Sequence, residues 1–358
     1  MGLKVVIPAA GGGTRLRPFT DTTPKVLLHV AGKPILGHIL DLVATVNPDE
    51  VVVVVGKQRD RIEAYLRADY ALNFRFVLQA EPLGLGHAVA QASENCTGRP
   101  TLVMLGDTIL DLDLRQVVGP DNVVGVRVVD DPRRFGVAEL ENGLVKSVVE
   151  KPAQPTSNLA LVGLYYFTDS APLFSALGEL IRNDVRTRGE YQLTDALQLM
   201  LRAGIFLKPF TVNHWLDCGT TDTLLETNRY LLRKQETEGT VLIFRDGRMG
   251  QSPNKVRNSV MVPPVRIAES AAIENSVVGP DVAIGENATI RNSVVRDAII
   301  NAQAVVENAV LEHSILGNGA RFLGRAEHVN LGDAATLHRR DTEGAEKREP
   351  PIYADGCN

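Results

Sequence analysis

The chain has 358 residues, of which 44% are hydrophobic and 23% are charged, and its formal net charge is -5. This composition excludes a disordered or fibrous protein, and the length predicts two domains. The negative charge gives no general attraction to nucleic acid or to an anionic membrane, so phosphate recognition has to come from a few basic residues concentrated in one site.

Short apolar runs separated by helix-like segments occupy the first two thirds of the chain. The run Val51 to Val55 contains only β-branched residues, which is typical of a strand buried on both faces of a largely parallel sheet. Pro34 to Val46 and Thr223 to Leu232 have helical spacing. We therefore predict an α/β domain over residues 1–232. The other predicted strands are Lys4 to Ala9, Phe74 to Leu78, Thr101 to Leu105 and Val123 to Val128.

A glycine-rich turn follows the first predicted strand, with the sequence Ala10-Gly-Gly-Gly-Thr-Arg-Leu-Arg-Pro18. Backbone N–H groups in such a turn approach phosphates closely, because glycine tolerates positive φ and has no side chain in the way. The turn is neither a Walker A motif nor a G-x-G-x-x-G fingerprint, since it lacks Gly-Lys-Ser/Thr and has Leu16 where the second motif needs glycine. It predicts a phosphate-binding site of another kind.

The spacing of apolar residues changes near residue 264. From Val265 to about Leu323, aliphatic residues return every five or six positions, and Asn275-Ser-Val-Val278 recurs as Asn292-Ser-Val-Val295. This repeat is typical of a triangular parallel β-helix, in which each coil buries its inward side chains against the neighbouring coils. An irregular β-sandwich is the alternative. We expect a connecting segment at residues 233–264, the β-helix at 265–330 and a charged tail at 331–358.

Six further motifs follow the glycine-rich turn. They are Pro24-Lys25, Gly32-Lys33-Pro34, Leu83-Gly-Leu-Gly-His87, Leu105-Gly-Asp107, Glu150-Lys-Pro152 and Trp215-Leu-Asp217. In this order they resemble the sugar-1-phosphate nucleotidylyltransferase family, and with the C-terminal repeat the chain is most similar to the long form of glucose-1-phosphate thymidylyltransferase. The resemblance implies a Rossmann-like α/β domain with a mostly parallel sheet, followed by a left-handed parallel β-helix of hexapeptide-type repeats. It also implies transfer of a nucleotidyl group from dTTP or UTP to a sugar 1-phosphate such as glucose 1-phosphate.

The resemblance assigns the chemistry to Arg15, Lys25, Asp107 and Asp217. The planar guanidinium of Arg15 suits the departing pyrophosphate, while Lys25 offers a point charge to the α-phosphate. Asp107 follows a predicted parallel strand, at the carboxyl end where open α/β sheets bind ligands. Two carboxylates and phosphate oxygens form a hard oxygen site suited to Mg²⁺. We expect both aspartates to bind this metal.

The resemblance also assigns the two substrate sites. Glu150 is expected to accept hydrogen bonds from sugar hydroxyls, and Lys151 to pair with the sugar phosphate. The amide of Gln79 donates and accepts, which complements N3–H and O4 of uracil or thymine, and His87 is expected to help wall the base pocket. The other nucleotide-binding residues are Ala10, Gly11, Gly13, Thr14, Gly84 and Leu85. The other sugar-binding residues are Gly136, Leu161 and Gly163.

Two departures from the family pattern leave alternatives open. Ala10 replaces the usual first glycine, and Leu85-Gly86-His87 resembles the N-acetylglucosamine-1-phosphate uridylyltransferases, which leaves the sugar open. One alternative function is therefore a bifunctional uridylyltransferase and acetyltransferase, with His313 or His328 as its acyl-transfer residue. Another is a non-catalytic regulatory subunit. The choice between dTTP and UTP, and any allosteric regulation, also stay open.

Cysteine spacing and hydropathy predict the cellular location of the protein and the partners that it binds. Cys96, Cys218 and Cys357 lie far apart without metal-ligand spacing, and no apolar run approaches the length of a membrane span, so we expect a cytoplasmic protein with reduced thiols. Parallel coils expose backbone edges and terminal apolar side chains, which favours a homo-oligomer assembled through the β-helix. We expect no nucleic-acid or membrane partner.

Overall fold

The computed structural model describes residues 2–237 and 255–324, and these belong to one compact unit. The predicted charged tail, His328 and Cys357 lie outside the described residues. Cys96 and Cys218 are free and buried. Among the helices that the structure describes, none combines the length and the apolar character that crossing a bilayer requires.

The part of the chain before residue 238 alternates helices with strands. Its helices are α1 (Phe19–Thr22), α2 (Ile35–Ala44), α3 (Arg59–Asp69), α4 (Leu85–Ala90), α5 (Ser93–Cys96), α6 (Ala171–Arg182), α7 (Leu193–Arg202) and α8 (Thr221–Thr237). Its strands are β1 (Lys4–Pro8), β2 (His29–Val30), β3 (Lys33–Pro34), β4 (Glu50–Val55), β5 (Phe74–Leu78), β6 (Thr101–Met104), β7 (Thr108–Asp111), β8 (Val123–Val128), β9 (Gly136–Glu141), β10 (Leu144–Glu150), β11 (Leu159–Phe167), β12 (Lys208–Thr211) and β13 (His214–Asp217).

The main sheet has the strand order β10-β9-β11-β6-β1-β4-β5, and β8 joins it beside β11. Strands β6, β1, β4 and β5 are parallel, whereas β11 runs antiparallel to β6. All six residues of β4 are buried. Val51, Val53 and Val55 belong to one hydrophobic cluster, and Val52 and Val54 to another. Since alternate side chains of a strand point to opposite faces, β4 packs against a core on each side of the sheet, which confirms its expected burial.

The part of the chain after residue 254 is a run of short parallel strands. They are β14 (Val256–Arg257), β15 (Val260–Met261), β16 (Val265–Ile267), β17 (Ala272–Glu274), β18 (Val277–Val278), β19 (Val282–Ile284), β20 (Thr289–Arg291), β21 (Val294–Ile300), β22 (Val305–Glu307), β23 (Val310–Leu316) and β24 (Arg321–Leu323). Ile273 pairs with Ile290, and Ile290 with Val306, in parallel register, and all three are fully buried. Stacked aliphatic side chains of successive coils therefore form the core of a parallel β-helix.

The boundaries of this β-helix differ from the expected ones. Helix α8 continues to Thr237, and β14 and β15 lie within the range assigned above to the connecting segment. Val256 of β14 pairs with Ile273, and Val260 of β15 pairs with Val277. Among the described residues, parallel pairing thus starts at Val256, ahead of Val265. The apolar period did not reveal this first coil, because its two strands have only two residues each.

Asparagines form a ladder along one corner of the β-helix. Asn258, Asn275, Asn292 and Asn308 all have positive φ, between 46° and 53°. Each donates its side-chain amide to the next, with Nδ2 to Oδ1 distances of 2.8, 3.2 and 3.1 Å. Asparagine tolerates the left-handed conformation that this tight corner needs. The Asn-Ser-Val-Val repeat in the sequence is the trace of this corner.

Helix α8 connects the two parts through buried polar contacts. The fully buried Asn228 accepts a hydrogen bond from the Ala31 amide at 2.8 Å and donates to the Asp281 carbonyl at 3.1 Å. Arg233 binds both carboxylate oxygens of the buried Asp281, at 3.0 and 2.7 Å. Arg229 donates to Asp297 at 2.7 Å. These three side chains of α8 therefore fix the β-helix against the α/β part.

Candidate active site

A cleft of about 480 Å³ opens where β1 and β6 end. This is the edge at which open α/β sheets place their ligands. All of the site residues predicted from the sequence line the cleft except Ala10, Gln79, Gly84 and His87. The residues brought together are Gly11, Gly13, Thr14, Arg15, Lys25, Leu85, Asp107, Gly136, Glu150, Lys151, Leu161, Gly163 and Asp217.

The glycine-rich turn enters the cleft from the end of β1. Gly13 has φ of 60°, and a Cβ atom there would lie only 2.8 Å from the side chain of Thr20 and 3.1 Å from that of Lys25. Glycine is therefore required both by the backbone and by the space. Thr20 holds the turn by donating its hydroxyl to the Gly13 carbonyl at 2.8 Å. Leu16 is fully buried beneath the turn, which leaves its neighbour Arg15 exposed at the cleft.

The two aspartates are brought together by a strand pair outside the main sheet. Strand β13 runs antiparallel to β7, with Asp217 opposite Thr108, and the Cys218 amide donates to the Asp107 carbonyl at 3.1 Å. Burial raises the pKa of Asp217, and the negative charge of Asp107 raises it further, while Lys25 and other basic residues act in the opposite direction. The two carboxylates therefore repel each other.

This carboxylate pair fits a divalent cation whose coordination is completed by a substrate. In residues 2–237 and 255–324 no three His, Cys, Asp or Glu side chains converge as a metal cage. Hard cations that act on phosphates need only one or two carboxylates, since phosphate oxygens supply further ligands. A cation between Asp107 and Asp217 would also remove the repulsion that raises the pKa of Asp217.

On the opposite wall, Glu150 and Lys151 are held by several contacts. The nearly buried carboxylate of Glu150 accepts from the Thr194 hydroxyl at 2.7 Å and pairs with the Lys151 ammonium at 3.0 Å. A Cβ atom on Gly136 would lie 3.1 Å from Leu161 and 3.2 Å from Glu150. Both oxygens of Glu150 are thus oriented by the protein, next to a glycine that leaves room at the carboxylate.

The four predicted residues outside the cleft lining have other surroundings. His87 lies beside Gln79, with its Nδ1 3.0 Å from Nε2 of Gln79. Ala10 packs against Gly56, where a Cβ atom would lie 3.2 Å from the Ala10 carbonyl oxygen. Gln79 lies at the end of β5 and donates its amide to the Gly84 carbonyl at 3.1 Å. Gly84 immediately precedes Leu85, which does line the cleft. Gln79 is therefore bonded to the residue that directly precedes Leu85 of the cleft wall.

Several residues that line the cleft were not assigned a role from the sequence. The ring of Phe135 packs edge to face on that of Trp215, with centroids 4.7 Å apart, and the buried Trp215 Nε1 has no hydrogen-bond partner among the described residues. Trp215 stood in a quoted motif, and Phe135 directly precedes Gly136, so both had a sequence signal. Glu190 and Gln192, which are bonded to each other at 3.1 Å, had none. The other unassigned lining residues include Thr108, Arg134, Tyr165 and Thr194.

Comparison with known protein families covers both parts of the chain. The family model described as nucleotidyl transferase matches residues 4–234. The model described as GlmU-like C-terminal hexapeptide matches residues 249–305. The first match spans the α/β part that holds the cleft, and the second spans most of the β-helix.

Individual proteins agree with these matches. The low-salt glycan biosynthesis nucleotidyltransferase Agl11 of Haloferax volcanii is 34% identical over 252 residues, which cover 67% of this chain and 69% of that protein. A glucose-1-phosphate thymidylyltransferase of Streptomyces griseus is 33% identical over 287 residues, covering 76% and 79% of the two chains. The crystal structure of a UDP-glucose pyrophosphorylase complexed with UDP-glucose has a TM-score of 0.57 at 27% identity, covering 65% of this chain and 100% of that one.

Proposed function

The chain belongs to the nucleotidyl transferase family, and on this premise we propose that it joins dTTP or UTP to a sugar 1-phosphate, with glucose 1-phosphate as the foremost candidate, and releases pyrophosphate. The product is a nucleotide sugar. The observation that carries this proposal is the cleft itself, in which Arg15 and Lys25 face the Asp107 and Asp217 carboxylates on one side and Glu150 with Lys151 forms the other wall.

In this reaction an oxygen of the sugar phosphate attacks the α-phosphorus of the nucleoside triphosphate. A new P–O bond forms as the bond between the α- and β-phosphates breaks, and the pyrophosphate takes the bonding electrons. The attacking phosphate oxygen is already ionised, so no general base is needed. The protein's task is to align the two anions and to stabilise charge that shifts toward the leaving group.

The basic residues divide this task by position. Lys25 follows the glycine-rich turn and has a side chain that is 12% exposed, which suits a fixed point charge at the α-phosphate. Arg15 lies exposed on the same turn, where its guanidinium can hold two oxygens of the departing pyrophosphate. Lys151 lies on the opposite wall beside Glu150. It therefore suits the phosphate of the sugar, with Glu150 accepting from the sugar hydroxyls.

Asp107 and Asp217 would hold Mg²⁺ in the proposed complex. When bound, this ion neutralises phosphate charge and orients the triphosphate. The residues contribute more than ligation, because Lys25 lies 2.6 Å from Asp107 and so links the cation site to the α-phosphate site. Movement of Asp107 would therefore displace the lysine as well.

A second activity in the β-helix has less support. His313, a candidate for acyl transfer, has Nδ1 at 2.8 Å from Asp297 and Nε2 at 3.4 Å from Asp222, at the start of α8. Both ring nitrogens therefore take part in contacts that join the β-helix to α8. We propose one transferase activity for the chain. A purely regulatory role is disfavoured because the cleft retains both aspartates and both phosphate-binding bases.

A row of valines supports self-association through the β-helix, which is part of the proposal together with a cytoplasmic location. Val260, Val277, Val294 and Val310 occupy equivalent positions on four successive coils. Val260, Val277 and Val310 are 58%, 36% and 69% exposed. A continuous apolar row of this kind is unfavourable in water, and a second copy of the chain would cover it with an equivalent row.

The direct test is a screen for pyrophosphate release in the presence of Mg²⁺. Each of dTTP, UTP, ATP and GTP is combined with glucose 1-phosphate, galactose 1-phosphate or N-acetylglucosamine 1-phosphate. We expect turnover with a pyrimidine nucleotide and glucose 1-phosphate. Asp217→Asn protein is the control for contaminating activity. Absence of release with every pair, or release that depends only on a purine nucleotide, would refute the proposal.

A further inference from the structure

Arg134 is a basic residue of the cleft to which the proposed function assigns no role. It lines the cleft and is exposed. Within residues 2–237 and 255–324, its guanidinium forms no hydrogen bond or ion pair. The neighbouring Arg133 differs, because it binds both carboxylate oxygens of Asp131, at 2.8 and 2.7 Å. One of two adjacent arginines is therefore committed inside the protein, while the donors of the other are available to a ligand.

The backbone attaches Arg134 to the wall of the cleft that holds Glu150 and Lys151. The residue after it, Phe135, accepts a hydrogen bond on its carbonyl from the Lys151 amide at 3.0 Å. Gly136 then begins β9 and pairs with Glu150 at the end of β10. Arg134 therefore directly precedes the segment that is bonded to the two residues proposed to bind the sugar and its phosphate.

The charge of Arg134 also acts on the cation site at the other side of the cleft. Burial and then the charge of Asp107 raise the pKa of Asp217, whereas Lys25, Arg134 and Arg15 lower it. Such an effect weakens with distance and with intervening water, so the guanidinium of Arg134 lies near the two carboxylates. Arg134 thus belongs to the sugar wall by its backbone and approaches the cation site with its side chain.

A ring contact joins the two sides of the cleft beside Arg134. Phe135 packs edge to face on Trp215, with centroids 4.7 Å apart. Trp215 lies on β13, two residues before Asp217. The residue after Arg134 is therefore in contact with the strand that carries Asp217, and this contact limits how far the arginine can move away from the aspartate.

A guanidinium at this place meets the two phosphates that the reaction joins. The sugar phosphate approaches from the wall of Glu150 and Lys151, and the α-phosphate lies at the cation site. Both phosphates are anions, so they repel each other as the new P–O bond forms. Arginine presents paired N–H donors that bind two oxygens at once. One guanidinium can therefore bind an oxygen of each phosphate and reduce their repulsion.

We propose that Arg134 is a further catalytic residue, which binds the sugar phosphate and the α-phosphate together while they are joined and then binds the diphosphate of the nucleotide sugar. The proposal rests on the proposed function, since it concerns the same transfer. The contact is complete only when the two phosphates are adjacent, so it stabilises the transition state more than either bound substrate. Arg134 differs in this from Lys151, which is assigned to one substrate.

The test measures pyrophosphate release from glucose 1-phosphate with dTTP or UTP. In Arg134→Ala we expect kcat to fall by at least about tenfold, while KM for each substrate changes by less than about threefold. Arg134→Lys should lie between wild type and the alanine variant, since lysine keeps the charge but loses the paired donors. Arg133→Ala is the matched control, because it removes an adjacent exposed arginine that does not line the cleft. Its kcat should stay near that of the wild type.

Three kinetic results would overturn the proposal. The first is an unchanged kcat in Arg134→Ala, and the second is an equal loss of kcat in Arg133→Ala. The third is a loss confined to KM for glucose 1-phosphate, which would assign Arg134 to the sugar phosphate alone. Because Arg134 is exposed, its substitution should leave the Tm of the chain nearly unchanged, and this measurement separates a catalytic loss from a folding defect.

Binding separates this proposal from the proposed function. Calorimetry with UDP-glucose measures the contact to the diphosphate without turnover. Arg134→Ala should weaken this binding by about tenfold or more, the scale of a charge-assisted hydrogen bond, and Arg133→Ala should not. An unchanged affinity in Arg134→Ala would overturn the role of Arg134. A loss of affinity in a chain that releases no pyrophosphate from any pair of substrates would instead support that role and refute the proposed transfer reaction.

Discussion

The ammonium nitrogen of Lys25 lies 2.6 Å from Oδ2 of Asp107, although the two residues are 82 positions apart in the chain. Lys25 begins the 3₁₀ turn Lys25–Leu27 after the glycine-rich loop, and Asp107 follows β6. Their side chains are 12% and 38% exposed, so the ion pair is partly shielded from water. A shielded pair couples its members more strongly than an exposed one. Phosphate binding and cation binding are therefore expected to depend on each other.

The first prediction concerns the two aspartates. Asp107→Asn and Asp217→Asn should each reduce turnover nearly to background, because each removes one charge from the cation site without changing side-chain volume. Added Mg²⁺ should restore little activity. Asp121→Asn is the matched control, since Asp121 pairs with Lys208 at an exposed position outside the cleft. Near wild-type turnover of either cleft variant at ordinary Mg²⁺ would remove that residue from the proposed site.

The second prediction concerns Lys25. Lys25→Ala should lower kcat by roughly 100-fold or more, the scale for deleting a preorganised charge at a reacting phosphate. Because Lys25 and Asp107 are in contact, the double variant Lys25→Ala with Asp107→Asn should lose less than the product of the single losses. Single-turnover pyrophosphate release provides the rates. Strictly multiplicative losses would mean that the ion pair has no part in the reaction.

The third prediction separates the basic residues by substrate. Lys151→Ala should raise KM for the sugar phosphate by about tenfold or more while leaving KM for the nucleotide nearly unchanged, since it removes a charge-assisted contact to only one substrate. Lys146→Ala is the control, because Lys146 lies exposed on β10, the strand that ends just before Lys151, and pairs with Glu141. An effect of Lys151→Ala on the nucleotide alone would show that the division of roles is wrong.

The fourth prediction concerns pH and the contact between β-helix and α8. Hydrogen bonds that the His313 ring donates, chiefly to Asp297 and then to Asp222, raise the pKa of His313 above its ordinary value of 6.5. A raised folded-state pKa means that the stabilisation is fully present below pH 6.5 and is lost as the pH rises through the folded-state pKa. The Tm difference between wild type and His313→Gln should therefore be larger at pH 6 than at pH 9.

Asp297→Asn provides the control for this pH dependence. It removes the main cause of the raised pKa while leaving the histidine in place, so the additional stability at low pH should be strongly reduced. Because His313 is exposed at the surface, added salt should also weaken the effect. A Tm difference that stays constant between the two pH values would contradict the assigned contact.

The fifth prediction concerns the row of valines. Val277→Lys together with Val310→Lys places charges in the exposed apolar row and should reduce the particle mass measured by light scattering, while turnover per chain is retained. Val128→Lys is the control, because Val128 is also an exposed valine but lies on β8. Unchanged mass in the double variant would mean that self-association, if present, uses another surface.

The sequence predicted those features that depend on residue type and spacing within a single segment of the chain. The five consecutive valines of β4 required burial on both faces, and the repeated asparagines marked a corner with positive φ. The pairing of β7 with β13 was not predictable in this way, because it joins segments about a hundred residues apart and each strand has only four residues. Yet this pairing is what brings Asp107 and Asp217 together. Only the family resemblance linked them beforehand.

The cleft also contains both residues that the sequence predicted and residues that it did not. Arg15, Lys25 and Glu150 stood in recognisable motifs, whereas Glu190 and Gln192 lie in an irregular segment before α7 with no periodic pattern. For Gln79, the residue type indicated both a donor and an acceptor. Only the structure shows that its amide nitrogen donates to the Gly84 carbonyl at 3.1 Å. Hydrogen-bond competition of this kind depends on three-dimensional neighbours and leaves no trace in residue order.

The buried amide of Asn228 has a consequence for how the molecule unfolds. Stacked coils usually lose structure one after another from an exposed end, because each coil contacts only its neighbours. Here one coil is tied to α8 through Asn228 and Arg233, and releasing it leaves buried polar groups without partners at a cost of about 1–3 kcal/mol each. Loss of that coil therefore destabilises α8 and the Ala31 turn at the same time. Heating should produce one shared calorimetric transition for the α/β part and the coils, in place of gradual fraying.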